Sequence, residues 1–196
     1  MTLFTPPERR YAGYIFDCDG TLADSMPVHY SWAHTVQKHG GQIPEELFYA
    51  LGGWPSRKMV VHLNELFGTS LDPDNVAEEK EQFYVEHIST IQSIPEVAAF
   101  AREVVTFAKV SVASGGVLPV VTKTLKAIGL KDLFPVIVTS EQVKHGKPAP
   151  DLFLEAARRM GVAPGDCLVL EDSPAGFEAA KAAGMDYAVI ARPSRS

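Results

Sequence analysis

Short apolar runs alternate with helical patterns through the second half of the chain, and few folds accept that rhythm. The runs are Val110-Ser111-Val112-Ala113, Val136-Ile137-Val138, Cys167-Leu168-Val169-Leu170 and Tyr187-Ala188-Val189-Ile190, and an earlier one, Tyr14-Ile15-Phe16, matches them. Each is rich in β-formers and bounded by polar residues or glycine, so each reads as a strand buried on both faces. Between the last four, Val117, Val121, Leu125 and Ile128 fall at helical spacing before Gly129, and Phe153, Ala156, Ala157 and Met160 do so before Gly161. A third pattern runs from Pro174 to Ala183 and stops at Gly184, with Ser173 as N-cap and Pro174 at the first helical position. Strand and helix in alternation imply βαβ units, and hence an α/β fold with a doubly wound parallel sheet.

The stretch 27–93 breaks the rhythm. It holds no good strand but carries helical patterns at Val28–Lys38, Ser56–Phe67 and Pro73–Ile91, divided by Gly40-Gly41, Gly52-Gly53 and Gly68. It reads as a helical lobe inserted after the first strand. The core is then 1–26 and 94–196, joined to the lobe near Ser25–Pro27 and Ser93–Pro95.

A chain of 196 residues can bury a full core. Its net charge of −6 argues against nucleic acid or an anionic membrane as partner. Met1–Arg10 lacks the apolar run of a signal peptide, no stretch approaches the ~18 apolar residues of a membrane span, and Arg192–Ser196 reads as a frayed tail. Cys18 and Cys167 share no metal-ligand spacing, and Cys167 reads as a small core residue. A reduced, cytoplasmic protein, monomeric or weakly oligomeric, is the expectation.

Four motifs carry chemistry. Asp17-Cys18-Asp19-Gly20-Thr21 directly follows the first strand. Ligands bind at that end of open α/β sheets, and two carboxylates there can hold a hard cation or divide labour, one attacking and one carrying a proton. Ser114-Gly115-Gly116 follows the second strand and offers a hydroxyl and backbone amides to a phosphate. Lys147, in Gly146-Lys147-Pro148-Ala149-Pro150-Asp151, is a point charge before a proline-stiffened helix entry. Glu171-Asp172-Ser173 follows the fourth strand, where its acids can complete a magnesium site. Taken singly, each has a plainer reading as a turn, a surface lysine or a helix cap. Together, in this order, they supply nucleophile, proton carrier, hydroxyl, cation and metal ligands.

That order resembles the haloacid dehalogenase superfamily, subfamily I, in the branch of β-phosphoglucomutases and small sugar-phosphate phosphatases. The resemblance covers essentially the whole chain, with an α-helical cap where the inserted lobe falls. It implies Asp17 as nucleophile of an aspartyl-phosphate and Asp19 as general acid and base, with Thr21 in the same signature. It implies Ser114, with Gly115 beside it, and Lys147 on the phosphoryl group. Mg²⁺ would be held by Asp172, Glu171, Asp17 and the backbone carbonyl of Asp19. His29 matches a histidine at the cap's entry, and Arg57 an arginine of the cap loop, both as substrate contacts.

The chain also departs from the mutase pattern. Val117 stands where mutases usually carry a cation three residues after the motif serine, and Gly52-Gly53-Trp54-Pro55-Ser56-Arg57 lacks the cap-loop lysine. The expected activity is therefore Mg²⁺-dependent hydrolysis of a sugar or sugar-acid phosphate, with β-phosphoglucomutase as the alternative. A carbon–halogen hydrolase is disfavoured by the additional acids, and a silent phosphometabolite-binding protein by the intact motif residues. Lys80 is expected on a solvated face, Trp54 to pack the lobe, and His145 to have no role.

Overall fold

The structure, a computed structural model, describes residues 4–52 and 54–191. The tail 192–196 and Gly53 of the lobe's glycine pair lie outside the described residues. In chain order the elements are β1 (Gly13–Phe16), α1 (Met26–Tyr30), α2 (Ala33–Lys38), α3 (Glu45–Ala50), α4 (Ser56–Phe67), α5 (Pro73–His87), a 3-10 turn at Ile88–Thr90, and α6 (Pro95–Val104). There follow β2 (Lys109–Ser114), α7 (Leu118–Ala127), β3 (Val136–Thr139), α8 (Asp151–Met160), β4 (Cys167–Glu171), α9 (Pro174–Ala182) and β5 (Asp186–Val189).

Among the described residues the five strands form one parallel sheet, in the order β3-β2-β1-β4-β5. Alternate residues of β1 point to opposite cores. Tyr14 and Phe16 pack with Val97, Phe100 and Ala101 of α6 and Val121 and Leu125 of α7. Ile15 faces Leu152, Phe153 and Ala156 of α8 and Ala179 and Ala180 of α9. Helices on both faces are what continuous apolar strands require. Each fully buried Leu or Phe contributes roughly 1.5–3 kcal/mol. The chain winds outward through β2 and β3, then returns past β1 to β4 and β5. The order thus reverses at β1, and a crevice opens beyond its C-terminal end.

The segment 26–90 forms no strand and is helical. Trp32, Val36, Phe48, Met59, Val60, Leu63 and Val76 bury one another in a cluster distinct from the two sheet cores. The helix expected at Val28–Lys38 is two helices. The Ser31 hydroxyl donates to Pro27 O at 3.0 Å, and Trp32 N and His34 N bond three residues back, to His29 O and Ser31 O. The tightened turn bends the chain and sends Trp32 inward, where Nε1 donates to Val76 O at 3.3 Å. The chain leaves and re-enters the core side by side: Ile94 N donates to Leu22 O and Asp24 N to Gln92 O, both at 2.9 Å.

Candidate active site

The reversal of strand order brings three strand ends together. Asp17 follows β1, Ser114 ends β2 and Glu171 ends β4. Lys147, arriving on the loop before α8, lies between two of them. Its Nζ donates to Asp17 Oδ1 at 2.6 Å and to Glu171 Oε2 at 2.7 Å, with its side chain only 2% exposed. The ammonium also sits 5.1 Å from the centre of the Phe153 ring. Contacts with two carboxylates outweigh burial and hold Lys147 above the ordinary lysine range, so it is a fixed positive charge.

Glu171 is pinned from its other oxygen. Oε1 accepts from Ser173 Oγ at 2.7 Å and Ser173 N at 3.1 Å, while Ser173 Oγ accepts from Gly176 N as N-cap of α9. The helix cap expected at Ser173 therefore also orients Glu171. A Cβ at Gly176 would collide with the Glu171 carboxylate, so the helix approaches this closely only as glycine.

Asp17, Glu171 and Asp172 each offer a carboxylate oxygen, and the three oxygens lie within 4.8 Å of one another. Burial first, and then the Glu171 charge, push the Asp17 carboxyl well above the usual range, while Lys147 pulls the other way. Lys147 bonds two of these acids, Asp17 and Glu171, and a buried all-oxygen donor group of this kind fits a hard divalent cation.

Asp19 has different surroundings. Its Oδ1 accepts from Ser25 Oγ at 2.6 Å and Tyr84 OH at 3.1 Å, and His29 Nε2 lies 3.1 Å away. Burial raises its carboxyl, but the His29 ring, the Ser25 hydroxyl and the Lys80 charge outweigh this and hold it well below the ordinary range. Ser114 is buried, and its Oγ accepts from Gly116 N at 3.1 Å, which leaves its proton for an acceptor in the crevice. Thr21 is buried too, with no partner for Oγ1 among the described residues.

A cavity of about 400 Å³ lies between these groups and the helical lobe. Its lobe wall includes Met26, Phe48, Trp54 and Met59, with Arg57, Lys80, Glu78 and Glu81 among them. Arg57 lines the cavity, but its Nε bonds to Asp74 at 2.6 Å and its side chain is 64% exposed. Lys80 is a correction: the expected solvated face is instead the cavity wall, where its side chain is 14% exposed and bonds to Glu81 at 3.1 Å. Trp54 packs as expected, with Lys58 Nζ 3.9 Å above its ring, while also lining the cavity. His145 pairs with Asp151 at the entry to α8.

Tyr84 escaped the sequence reading. It lies four residues beyond Lys80, one helical turn along α5, but a tyrosine on a lobe helix carries no mark of reaching Asp19.

Fold and site together define an α/β protein whose acid-lined crevice, at the ends of parallel strands, is covered by a helical insertion. The chain belongs to the haloacid dehalogenase-like hydrolase family, whose model matches residues 14–190. It is 37% identical to fructose-1-phosphate phosphatase of Escherichia coli (strain K12), over 90% of this chain and 95% of that protein. It is 32% identical to hexitol phosphatase A of the same organism, over 94% and 85%. Among solved structures it is similar to β-phosphoglucomutase from Clostridium difficile, with a TM-score of 0.81 at 26% identity over 90% of this chain and 83% of that one.

Proposed function

We propose that this protein is a phosphatase that hydrolyses small sugar or sugar-alcohol monophosphates through an aspartyl-phosphate on Asp17. One observation carries the mechanism: the two carboxylates of the Asp17–Asp19 pair have opposite environments. Asp17 is buried against Lys147, whereas Asp19 is gripped by hydroxyl and imidazole groups beside the cavity. Neighbouring acids held in different environments divide labour between nucleophile and proton carrier. Before substrate and cation arrive the charge balance runs against these roles, with Asp17 raised by burial and by Glu171, and Asp19, despite its burial, lowered by His29. A divalent cation among Asp17, Glu171 and Asp172 would return Asp17 to its anionic form, and an incoming phosphate dianion would raise Asp19 until it carries the proton.

In the first step an Asp17 oxygen attacks phosphorus in line and the ester P–O bond breaks. Asp19 gives its proton to the departing alkoxide. In the second step water attacks the same phosphorus, Asp19 takes a proton from it, and the Asp17–phosphorus bond breaks to release inorganic phosphate. Lys147 and the Ser114 hydroxyl, with the amide of Gly115, bind the phosphoryl oxygens, while the Gly116 amide holds Ser114 Oγ. Positioning and charge neutralisation of this kind supply most of the catalysis in phosphoryl transfer.

Asp17, Glu171, Asp172 and the Asp19 carbonyl would hold Mg²⁺. The ion would supply positive charge that lets an anionic carboxylate meet an anionic phosphate. Residues 27–93 would act as a cap on the core 1–26 and 94–196, its apolar wall excluding water. Names of sequence relatives support the substrate class: fructose-1-phosphate phosphatase and hexitol phosphatase match nearly the whole chain. Likeness to β-phosphoglucomutase supports the alternative. The phosphatase reading is favoured because the two cap cations in the cavity are already paired with acids. No described helix is long and apolar enough to cross a membrane.

The test is a screen of sugar and sugar-alcohol phosphates with inorganic phosphate as readout, run with Mg²⁺ and with a chelator. Metal-dependent release from at least one of them is expected. Full turnover without metal, or isomerisation of β-glucose 1-phosphate without phosphate release, would replace the reading.

A further inference from the structure

We infer that Tyr84 is a positioning residue for Asp19: its hydroxyl, backed by Thr124, helps saturate Oδ1, so that the transferable proton is carried on Oδ2. The inference rests on the reading of Asp19 as general acid and base.

A carboxylate oxygen has two lone-pair directions. Oδ1 of Asp19 meets three partners, Ser25 Oγ at 2.6 Å, Tyr84 OH at 3.1 Å and His29 Nε2 at 3.1 Å. They come from three places: the entry to the lobe, α5 and α1. An oxygen so crowded is a poor site for a shuttling proton. A proton on Oδ2 leaves every bond to Oδ1 in place through both chemical steps, and so requires no reorganisation of the network.

Tyr84 governs two of the three contacts. It makes one itself, and its ring stacks on the His29 ring with centroids 4.2 Å apart and planes 12° from parallel. The phenol is 1% exposed, and burial, with the Asp19 charge, keeps it protonated. Its oxygen also lies 3.0 Å from Thr124 Oγ1, which itself bonds Val120 O at 3.1 Å. Each hydroxyl has a single proton. With the Tyr84 proton on Asp19, the Tyr84 oxygen accepts from Thr124, whose proton is shared with Val120 O. Thr124 belongs to α7, the helix that follows the Ser114 loop. Tyr84 therefore registers Asp19 against the same layer that carries the phosphate cradle. Ala23, Ile88, Val120 and Ile128 pack around it, so the anchor is held from the core side as well as from the lobe.

The test uses leaving groups. p-Nitrophenolate departs with little help from an acid, and phenolate needs more. kcat/KM covers the steps through departure and so reads the acid alone. Tyr84→Phe deletes the hydroxyl and keeps the ring. It is expected to lower kcat/KM for phenyl phosphate about tenfold, a fraction of the ~10²–10⁴ available to acid–base help, and for p-nitrophenyl phosphate less than about threefold. Asp19→Asn should show the same ordering with larger losses. Equal losses on both esters, or none, from Tyr84→Phe while Asp19→Asn discriminates would overturn the role of Tyr84 and leave that of Asp19 standing. No discrimination by Asp19→Asn would instead remove the general-acid reading beneath it. Should Tyr84→Phe not fold, Thr124→Val decides: a smaller loss in the same order supports the relay, and rates equal to wild type on both esters overturn it.

Discussion

The Asp172 carboxylate fills the space beside Gly20 that a side chain there would need. Gly20 holds φ at +87°, and a Cβ built on it would collide with the acid. The glycine of Asp17-Cys18-Asp19-Gly20-Thr21 is thus part of the acid cluster's construction. It turns the chain after β1 and lets the acid following β4 come in against the backbone.

Gly20→Ala should accordingly separate stability from activity. The positive φ costs an alanine roughly 1–2 kcal/mol, a tolerable loss for a domain this size. Displacing Asp172 disturbs the cluster as a whole. The expected outcome is a folded protein whose melting temperature falls by a few degrees and whose Mg²⁺-dependent turnover falls at least about tenfold. Thermal denaturation and initial rates check this, and unchanged turnover would detach Asp172 from the metal.

Asp17→Asn is expected to abolish turnover without lowering the stability of the metal-free protein. It removes the nucleophile, and also one of three crowded acids, from a site where burial and Glu171 already oppose the charge. The metal response should shrink with it. A ligand at a hundredfold its Kd stabilises the folded state by about 2.7 kcal/mol, so a wild-type rise in melting temperature with Mg²⁺ should be cut sharply in the variant. An equal rise in both would take Asp17 out of the ligand group.

Much of this was legible from residue types alone, because the fold uses chemistry that short windows reveal. All five strands sit where the apolar runs placed them: β1, β3 and β4 are longer by one residue at one end, β2 by one at each end, and β5 is shifted one residue earlier; α4 has its expected limits. Three of the four motifs meet because each closes or follows a strand and parallel strands bring such ends together, while Lys147 reaches them from the loop before α8. The misses have local causes. α6 hides behind Pro95, read as the point of return to the core, although a proline at a helix's first position followed by Glu96 and then Val97, Ala101 and Val104 is a start signal. α3 is six residues long, too short for periodicity to register. Lys80 and Tyr84 lie on one helix, and which of its faces meets the crevice depends on how the lobe docks.

Ser173→Ala tests the link between a helix cap and the acid cluster. The hydroxyl caps α9 through Gly176 N and donates to Glu171 Oε1 at 2.7 Å. Loss of the cap costs about 1 kcal/mol, and freeing one side of a buried acid adds to it. A stability loss of ~1–3 kcal/mol is expected, together with a several-fold rise in the Mg²⁺ concentration for half-maximal activity. Chemical denaturation and a metal titration measure the two. A stability loss with an unchanged metal requirement would confine Ser173 to capping.

The choice between monophosphate and bisphosphate is expected to turn on Glu81. A mutase must hold a second phosphoryl group, and that needs uncommitted positive charge on the cap. Here Lys80 Nζ is bonded to Glu81 Oε1 at 3.1 Å, and Ser56 Oγ donates to the same oxygen at 3.2 Å, while Arg57 is tied to Asp74. Glu78 adds a further acid to the wall. A neutral sugar end meets hydroxyl-compatible surroundings there, whereas a second phosphate meets carboxylates first. Glu81→Gln keeps the shape, removes one negative charge and releases the ammonium. A hydrogen bond to a charged group is worth ~1.5–3 kcal/mol, but Glu81 is 42% exposed and solvent screens much of that. The predicted shift is therefore modest: KM for fructose 1,6-bisphosphate should fall about three- to tenfold relative to KM for fructose 1-phosphate, with kcat for the monophosphate within about twofold of wild type. Steady-state kinetics on the two esters decides it. A variant that loses both activities equally would mean that Glu81 holds the cap together rather than excluding the second phosphate.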